Sequence, residues 1–394
     1  MKKLSLACVA AMVMVSCQES METLTERVFV FAEQQCLLME QQLSDTNTPR
    51  TYTPQGVFVT ASLSWWCSGF YPGTLWMVYN QTGNESIREF AEKNSRKLAD
   101  VEACQSSHDL GFQYWNSYGR AYQTTLDTSW LPVIEDASRR LAERFSPKVG
   151  CIRSWGALNE TRNFKVIIDN MMNLALLMEA SKLFSCDSLA EIANTHAHTT
   201  MANHFRSDYT SYHVLDYDQE TGAVKRKMTA QGYADESAWA RGQAWGLYGY
   251  TMMYRETGDE DYLDMAQKIA DSIIPMLPED AVPYWDFNCP AIPYTYRDAS
   301  AAAIMASALV ELSTFVTDKS RSKFYLATAE RQLRSLASPE YMAEKPGSNG
   351  CFILRHSTGN LHGDGSNRIL ETDAPLTYAD YYFLEALIRY RNLK

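Results

Sequence analysis

The sequence predicts an all-α protein, a six-hairpin α/α barrel closed into a toroid. One unit recurs along the chain: an apolar helix, a short polar turn, then a second helix that opens with acidic residues. The first helix has no partner before it and the last has none after it. Pairing those two supplies a sixth hairpin and closes a ring, where an open solenoid would leave both ends bare. Strand signals are sparse, with short pieces such as Val57–Ala61 and Cys351–Arg355.

The chain begins MKKLSLACVAAMVMVSC. Two lysines precede an apolar run from Leu4 to Val15, too short to span a bilayer and typical of a secretory leader. Val15-Ser16-Cys17 resembles a bacterial lipoprotein processing site. Residues 1–17 are therefore expected to be a lipoprotein signal peptide, with Cys17 lipidated and the protein anchored in the cell envelope, periplasmic or surface-facing. A plain signal peptide cut nearby is the alternative. The barrel is expected over 18–394 as one domain, since no linker-like or low-complexity segment divides it.

Helical periodicity runs from Leu24 to Leu43 and is broken by SDTNTPRTYTPQG. The aromatic, glycine-rich SWWCSGFYPGTLWMVYNQTG then enters a helix that stops near Gly83, and NESIREFAEKNSRKLADVEA resumes it. A further hairpin reads from Gly111–Thr125 into Ser129–Phe145. Three more follow as NMMNLALLMEASKLFSCDSLAEIANTHAHTTMANHF, AWGLYGYTMMYRETGDEDYLDMAQKIADSII and SAAAIMASALVELSTFVTDKSRSKFYLATAERQLRSL. Tyr378–Tyr390 is the unpartnered last helix.

Composition narrows the function. The 394 residues are 46% hydrophobic and include 23 Tyr, 15 Phe and 9 Trp, more aromatics than a core alone requires. The formal charge is −11 and falls to −13 without Lys2 and Lys3 of the leader, which argues against nucleic acid as a partner. An anionic substrate must then be held by a few local arginines. Beyond Cys8 and Cys17, seven cysteines (Cys36, Cys67, Cys104, Cys151, Cys186, Cys289, Cys351) are odd in number and scattered, indicating neither a disulfide framework nor a zinc site. No metal or cofactor is expected: HExxH, an acidic calcium loop, GxSxG, a P-loop and a dinucleotide fingerprint are all missing, and GDGS at Gly363–Ser366 reads as a turn.

The densest stretch is Gln231–Tyr250, QGYADESAWARGQAWGLYGY. Arg241 and Trp245 are four apart and share a helix face, where a guanidinium could fork onto a carboxylate and an indole stack on a sugar. Gly242, Gly246 and Gly249 beside them are costly in a helix unless a backbone or a ligand comes close. An ordinary amphipathic helix with core aromatics is the competing reading. Asp169 lies in FKVIIDNMMNLALLMEASKLF, where burial would raise its pKa toward that of a general acid; capping the following helix is the alternative. Asp109, beside His108 in SSHDLGFQYW, is a second carboxylate that either caps or completes an acid–base pair. His196 and His198 diverge on a helix and make a poor metal pair. His213, in SYHVLDYD, is placed on a loop as a polar substrate contact.

WCSGFYPG at Trp66–Gly73, HDLGF at His108–Phe112, IDNMMNL at Ile168–Leu174 and SAWARGQAWGLYG at Ser237–Gly249 resemble the unsaturated glucuronyl hydrolases of glycoside hydrolase family 88. ADYYFLEAL at Ala379–Leu387 is similar to that family's last helix. The resemblance implies the same barrel and an unusual hydrolysis. The substrate is a 4,5-unsaturated uronic acid at the non-reducing end of lyase-generated oligosaccharides, and its C4=C5 enol ether is hydrated. It further implies Asp169 as proton donor and then base, Asp109 as the second essential aspartate, and Trp66 and Trp245 as stacking aromatics. His213, Gln231 and Arg241 would contact substrate, with Trp155 a further aromatic and Trp65 doubling Trp66. Glycosaminoglycan-type fragments are the expected substrates. The alternatives are an unsaturated rhamnogalacturonyl hydrolase acting on pectin fragments and a sugar-binding lipoprotein without turnover.

Overall fold

The computed structural model of the protein describes residues 19–100, 106–362 and 370–393. The expected leader with Cys17, Cys104, and the turn at Gly363–Ser366 lie outside the described residues. Helix α1 (Met21–Met39) is followed by α2 (Phe70–Thr82) and α3 (Glu85–Arg96). A π-wound segment, Gly111–Gly119, runs on into α4 (Arg120–Thr125) and pairs with α5 (Leu131–Glu143). Then come α6 (Asn170–Phe184) with α7 (Asp187–His204), α8 (Ala240–Thr257) with α9 (Glu260–Ile273), and α10 (Ala299–Phe315) with α11 (Lys319–Leu336). The last helix is α12 (Thr377–Arg391).

Contacts close the ring as expected. The inner helices touch in the order α2, π segment, α6, α8, α10, α12 and back to α2, while α1 packs on both α2 and α12. Sequence explains which helices face inward. Most of α8, α10 and α12 is buried around its whole circumference, and α10 is built largely from Ala, Ser and aliphatic residues. Outer helices such as α3 bury one stripe (Ile87, Ala91, Asn94, Ser95) and wear charges elsewhere. Asn84, Asp259 and Asp318 cap α3, α9 and α11 through their side chains. The inner helices α2, α6, α8 and α12 start without any side-chain cap. Their positive ends therefore stay open toward the rim where the site lies.

Two strand expectations change. Val57–Ala61 is realised as strand β2 (Phe58–Ser62), but it pairs antiparallel with β1 (Asn47–Tyr52), inside the segment read as a break. Turn residues and Pro49 hid that strand, which an isolated two-stranded ribbon tolerates. Its register shifts between Pro49 and Thr51, leaving Arg50 in a bulge. Cys351–Arg355 forms no strand. Its amides are taken by a side chain, Ile353 and Leu354 donating to Asp380 of α12 at 2.9 and 2.8 Å, and only a lone bridge joins Leu354 to Met342. Short β3 (Phe145–Ser146) and β4 (Cys151–Ile152) pair with each other. An antiparallel sheet of β5 (Phe164–Ile167), β6 (Val214–Tyr217) and β7 (Val224–Met228) was not foreseen. It pairs Ile167 with Val214, which brings Asp169 and His213 to one end of the sheet.

Close packing of inner helices accounts for some of the glycines. A Cβ on Gly111 would lie 2.5 Å from the Cα of Asn173 on α6, and one on Gly249 would lie 2.4 Å from the Cβ of Met171. A Cβ on Gly246 meets nothing nearer than 3.5 Å. Gly249→Ala should therefore overpack the α6–α8 contact and cost about 1–3 kcal/mol. Gly246→Ala should hold or raise the melting temperature, since helix propensity improves by roughly 1 kcal/mol. Thermal melts of the two variants against the parent check the contrast.

Candidate active site

Strand β5 ends at Ile167, and two residues later the chain turns into α6 with Asp169 at the junction. Asp169 sits in the capping position yet makes no side-chain cap bond, so the capping alternative fails. Its carboxyl instead faces a cavity of about 220 Å³ at the N-terminal end of the inner helices. One water-sized sphere fills roughly 10–15 Å³ on that measure, so a sugar ring fits. Six of the eight sequence-predicted residues line it: Trp66, Asp109, Trp155, Asp169, Gln231 and Arg241.

The other two predicted residues stand behind the wall. Trp245 is fully buried, packed against Phe112 at 5.1 Å and Tyr382 at 5.4 Å between ring centroids. It does share a face with Arg241, but one helical turn deeper, where the lumen is filled by aromatics. It lies close enough to lower the pKa of the Asp169 carboxyl, and being fully buried it offers no face to a sugar. His213 is only 3% exposed and also does not line the cavity. Its Nδ1 accepts the amides of Ala230 and Gln231 at 3.1 and 3.2 Å, which puts the ring proton on Nε2, 3.7 Å from Asp169 Oδ2. Burial, with help from Arg241, lowers its pKa to about 3, so the ring is neutral.

Burial pushes Asp169 up to about 7. Arg241 opposes that rise, Asp109 adds to it, and the Trp245 N–H holds it back. Asp109 accepts a short hydrogen bond from Ser107 Oγ and has His108 Nε2 at 3.5 Å from Oδ1. His108 is wholly buried, and burial lowers its pKa.

Arg241 is 2% exposed and already engaged. Its Nη1 donates to Asp298 at 3.0 Å and the Thr358 carbonyl at 2.6 Å, and Nη2 donates to the Gly359 carbonyl at 2.5 Å. Gln231 Nε2 donates to that same Gly359 oxygen at 2.9 Å. Within the described residues the Nε–H of Arg241 has no protein acceptor, so a substrate carboxylate can be met by that edge. Arg206 and Arg297 do not line the cavity. Arg206 bonds to Ser211, Asp235 and Ser237 carbonyls, and Arg297 to Asp280 and the Val282 carbonyl.

Sequence reasoning missed Arg50, Asn360, Glu371 and Tyr378, all of which line the cavity. Tyr378 opens the last helix, and its place in the first turn could have flagged it. Arg50 and Glu371 carry no spacing signal because a bulge and a loop deliver them. The doubled tryptophans both line the wall, Trp66 against Phe70, Phe112 and Tyr378 and Trp65 beneath the Arg50 guanidinium at 4.5 Å. Among the described residues no cluster of His, Cys, Asp or Glu could hold a metal ion.

An aromatic-walled pocket holding a carboxyl poised near neutrality, a second carboxyl and a buried arginine is the equipment of a carbohydrate-cleaving hydrolase. The model of Glycosyl Hydrolase Family 88 matches residues 39–361. An unsaturated glucuronyl hydrolase of Formosa agariphila is 42% identical over 90% of this chain and 88% of its own length. An unsaturated chondroitin disaccharide hydrolase of Streptococcus pneumoniae is 32% identical over 88% of this chain and 86% of its own. Among solved structures, an unsaturated glucuronyl hydrolase specific for heparin superposes with a TM-score of 0.89 at 43% identity, covering 94% of this chain and 98% of that one. The chain belongs to glycosyl hydrolase family 88 and is a glycoside hydrolase.

Removing the Trp245 N–H takes away a group that favours ionised Asp169. Trp245→Phe should therefore raise the pKa of Asp169 and carry the alkaline limb of the kcat/KM–pH profile upward. A profile recorded from pH 5 to pH 9 for both proteins checks the sign, and an unmoved limb would show that the indole does not govern this carboxyl.

Proposed function

We propose that this enzyme is an unsaturated glucuronyl hydrolase that hydrates the C4=C5 enol ether of 4,5-unsaturated uronate at the non-reducing end of glycosaminoglycan-type fragments. The observation that carries the reading is Asp169: uncapped, facing the pocket, and raised to about 7 mainly by burial. A carboxyl at that value gives up a proton readily near neutrality and its conjugate base still takes one back. Protonated Asp169 delivers its proton to C4, leaving a cation at C5 that the ring oxygen stabilises. Water adds at C5 and passes a proton to the Asp169 carboxylate. The hemiketal opens, freeing the next sugar and leaving the uronate as a keto acid.

The remaining groups fall into supporting roles. Neutral His213 stands with Nε2 3.7 Å from Asp169 Oδ2 and adds no charge beside the acid. Arg241 meets the substrate carboxylate, Asp109 and Gln231 its hydroxyls, and Trp66 and Trp155 its ring faces. Glycosaminoglycan-type substrates are favoured over pectin fragments by the relatives, one a heparin-specific unsaturated glucuronyl hydrolase and another an unsaturated chondroitin disaccharide hydrolase. A structure related at 26% identity holds dGlcA-GalNAc6S in an unsaturated glucuronyl hydrolase from Streptococcus agalactiae. Loss of the enol-ether absorbance on adding a lyase-generated disaccharide separates turnover from mere sugar binding.

Asp169→Asn should lower kcat by about 10²–10⁴-fold or more, since one group serves both half-steps. Asp109→Asn should also cripple turnover, through misplacement of substrate or acid. The same Asp169 substitution has a linked signature in stability. The folded pKa lies above the unfolded value, so the native state loses stability as pH rises from about 4 through about 7. Asn escapes that loss, and the melting-temperature gain of Asp169→Asn over the parent should widen between pH 5 and pH 8. A folded Asp169→Asn enzyme with ordinary kcat would overturn the mechanism.

Lipid anchoring at Cys17 is proposed on the sequence alone: Lys2 and Lys3, the apolar run Leu4–Val15, then Ser16-Cys17. No described helix is long and apolar enough to cross a membrane. Cys17→Ala should move the protein from the membrane fraction to the soluble one, leaving catalysis unchanged, as fractionation of expressing cells will show.

A further inference from the structure

One wall of the pocket carries a carboxylate that the hydration chemistry does not use. Glu371 lines the cavity and is held by Arg50, whose Nε and Nη2 both donate to its Oε1 at 3.0 and 2.8 Å. Both side chains are 13% exposed. Arg50 reaches the wall because it sits in the β1 bulge, and its guanidinium is sandwiched between Glu371 and the Trp65 ring. The arrangement is built into the rest of the site. Gly359 donates its N–H to the Glu371 carbonyl, and a Cβ at Gly359 would come within 2.7 Å of Glu371 Oε2. The carbonyl of that same glycine holds Arg241 and Gln231.

Two consequences follow from this geometry. Because the two Arg50 bonds to Glu371 fall on Oε1, Oε2 keeps acceptor capacity, and a carboxylate accepts from a hydroxyl without donating in return. The local charges also leave no welcome for a second anion. Asp109, Asp169 and Glu371 share the cavity with Arg50 and Arg241, Arg50 is committed to Glu371, and Arg241 is the cation that meets the substrate carboxylate.

We infer that Glu371, aimed by Arg50, is a specificity-determining residue: it accepts a hydrogen bond from a free hydroxyl of the unsaturated ring and rejects a ring that bears a sulfate ester there. The inference rests on the hydrolase reading above and selects among its substrates. Like charges set together in a low-dielectric site discriminate strongly, and here the repulsive element is the carboxylate itself.

The test compares an unsaturated uronate–hexosamine disaccharide with three twins, sulfated at C2 of the unsaturated ring, at C3 of that ring, or on the hexosamine. The parent should turn over the unsulfated compound and lose at least about tenfold in kcat/KM on one ring-sulfated twin, which also identifies the hydroxyl read. Glu371→Gln keeps the size and an acceptor oxygen but removes the charge. It should reduce the unsulfated rate modestly and raise the sulfated-to-unsulfated ratio by about tenfold. General loosening of the site would lower both rates together and leave the ratio alone. Arg50→Gln unmasks the Glu371 charge and should push the ratio the other way, and it serves as the test should Glu371→Gln not fold. Equal turnover of all ring-sulfated twins by the parent, or an unmoved ratio in the folded variants, would overturn the inference. No turnover of any disaccharide by the parent would instead strike the hydrolase reading.

Discussion

The buried ion pair between Arg241 and Asp298 is the joint on which the site depends. Asp298 has no exposed surface, and its two oxygens perform separate tasks. Oδ2 receives Arg241, while Oδ1 accepts the Ser300 amide at 3.0 Å and so starts α10. Arg241 in turn gathers the carbonyls of Thr358 and Gly359, locking the 356–360 loop over two neighbouring inner helices. Removing one partner would strand a charge in the interior at a cost of about 3–5 kcal/mol, which is why such a pair orders what surrounds it. Gln231 and Glu371 then take their positions from Gly359 without needing rigid elements of their own.

The same guanidinium restrains the acid. Burial alone drives Asp169 far toward its neutral form, and Arg241 together with the Trp245 N–H keeps the value near 7. Asp380 reaches a similar value by burial but spends its oxygens on the amides of Ile353 and Leu354, away from the cavity. Two buried carboxyls with comparable proton affinity are thus separated by what surrounds them: one holds a loop, the other lines the pocket and keeps one buried oxygen that no protein donor satisfies. The histidine beside that oxygen is neutral and adds no charge there.

The ring was legible in the sequence because its signal recurs: repeated helical hairpins, apolar inner helices, and unpaired helices at the two ends. Asp169, Asp109 and Arg241 were legible because each sits in a distinctive local stretch, whereas Gln231, Trp66 and Trp155 came from the resemblance to family 88, and all six line the cavity. Depth was not legible. Spacing put Trp245 on the face of Arg241 but could not say that one turn carries it below an aromatic floor. His213 shows the same limit, since a loop position suggested exposure while sheet pairing drew it under Asp169. Arg50 and Glu371 lie far apart in sequence and meet only through a bulge and a loop pairing, so no pattern within either segment records them.

The aromatic packing beneath the pocket has a further consequence for how polymer ends are handled. Phe70, Phe112, Trp245 and Tyr382 contact one another across the ring and stop its bore. A cleft open at both sides would let a polysaccharide lie through it and be cut anywhere along its length. A blind well admits only a terminus, head first, and the detached monosaccharide must back out through the opening by which the chain entered. The remaining oligosaccharide therefore has to leave first, making departure an ordered event and each encounter with a chain the removal of a single unit.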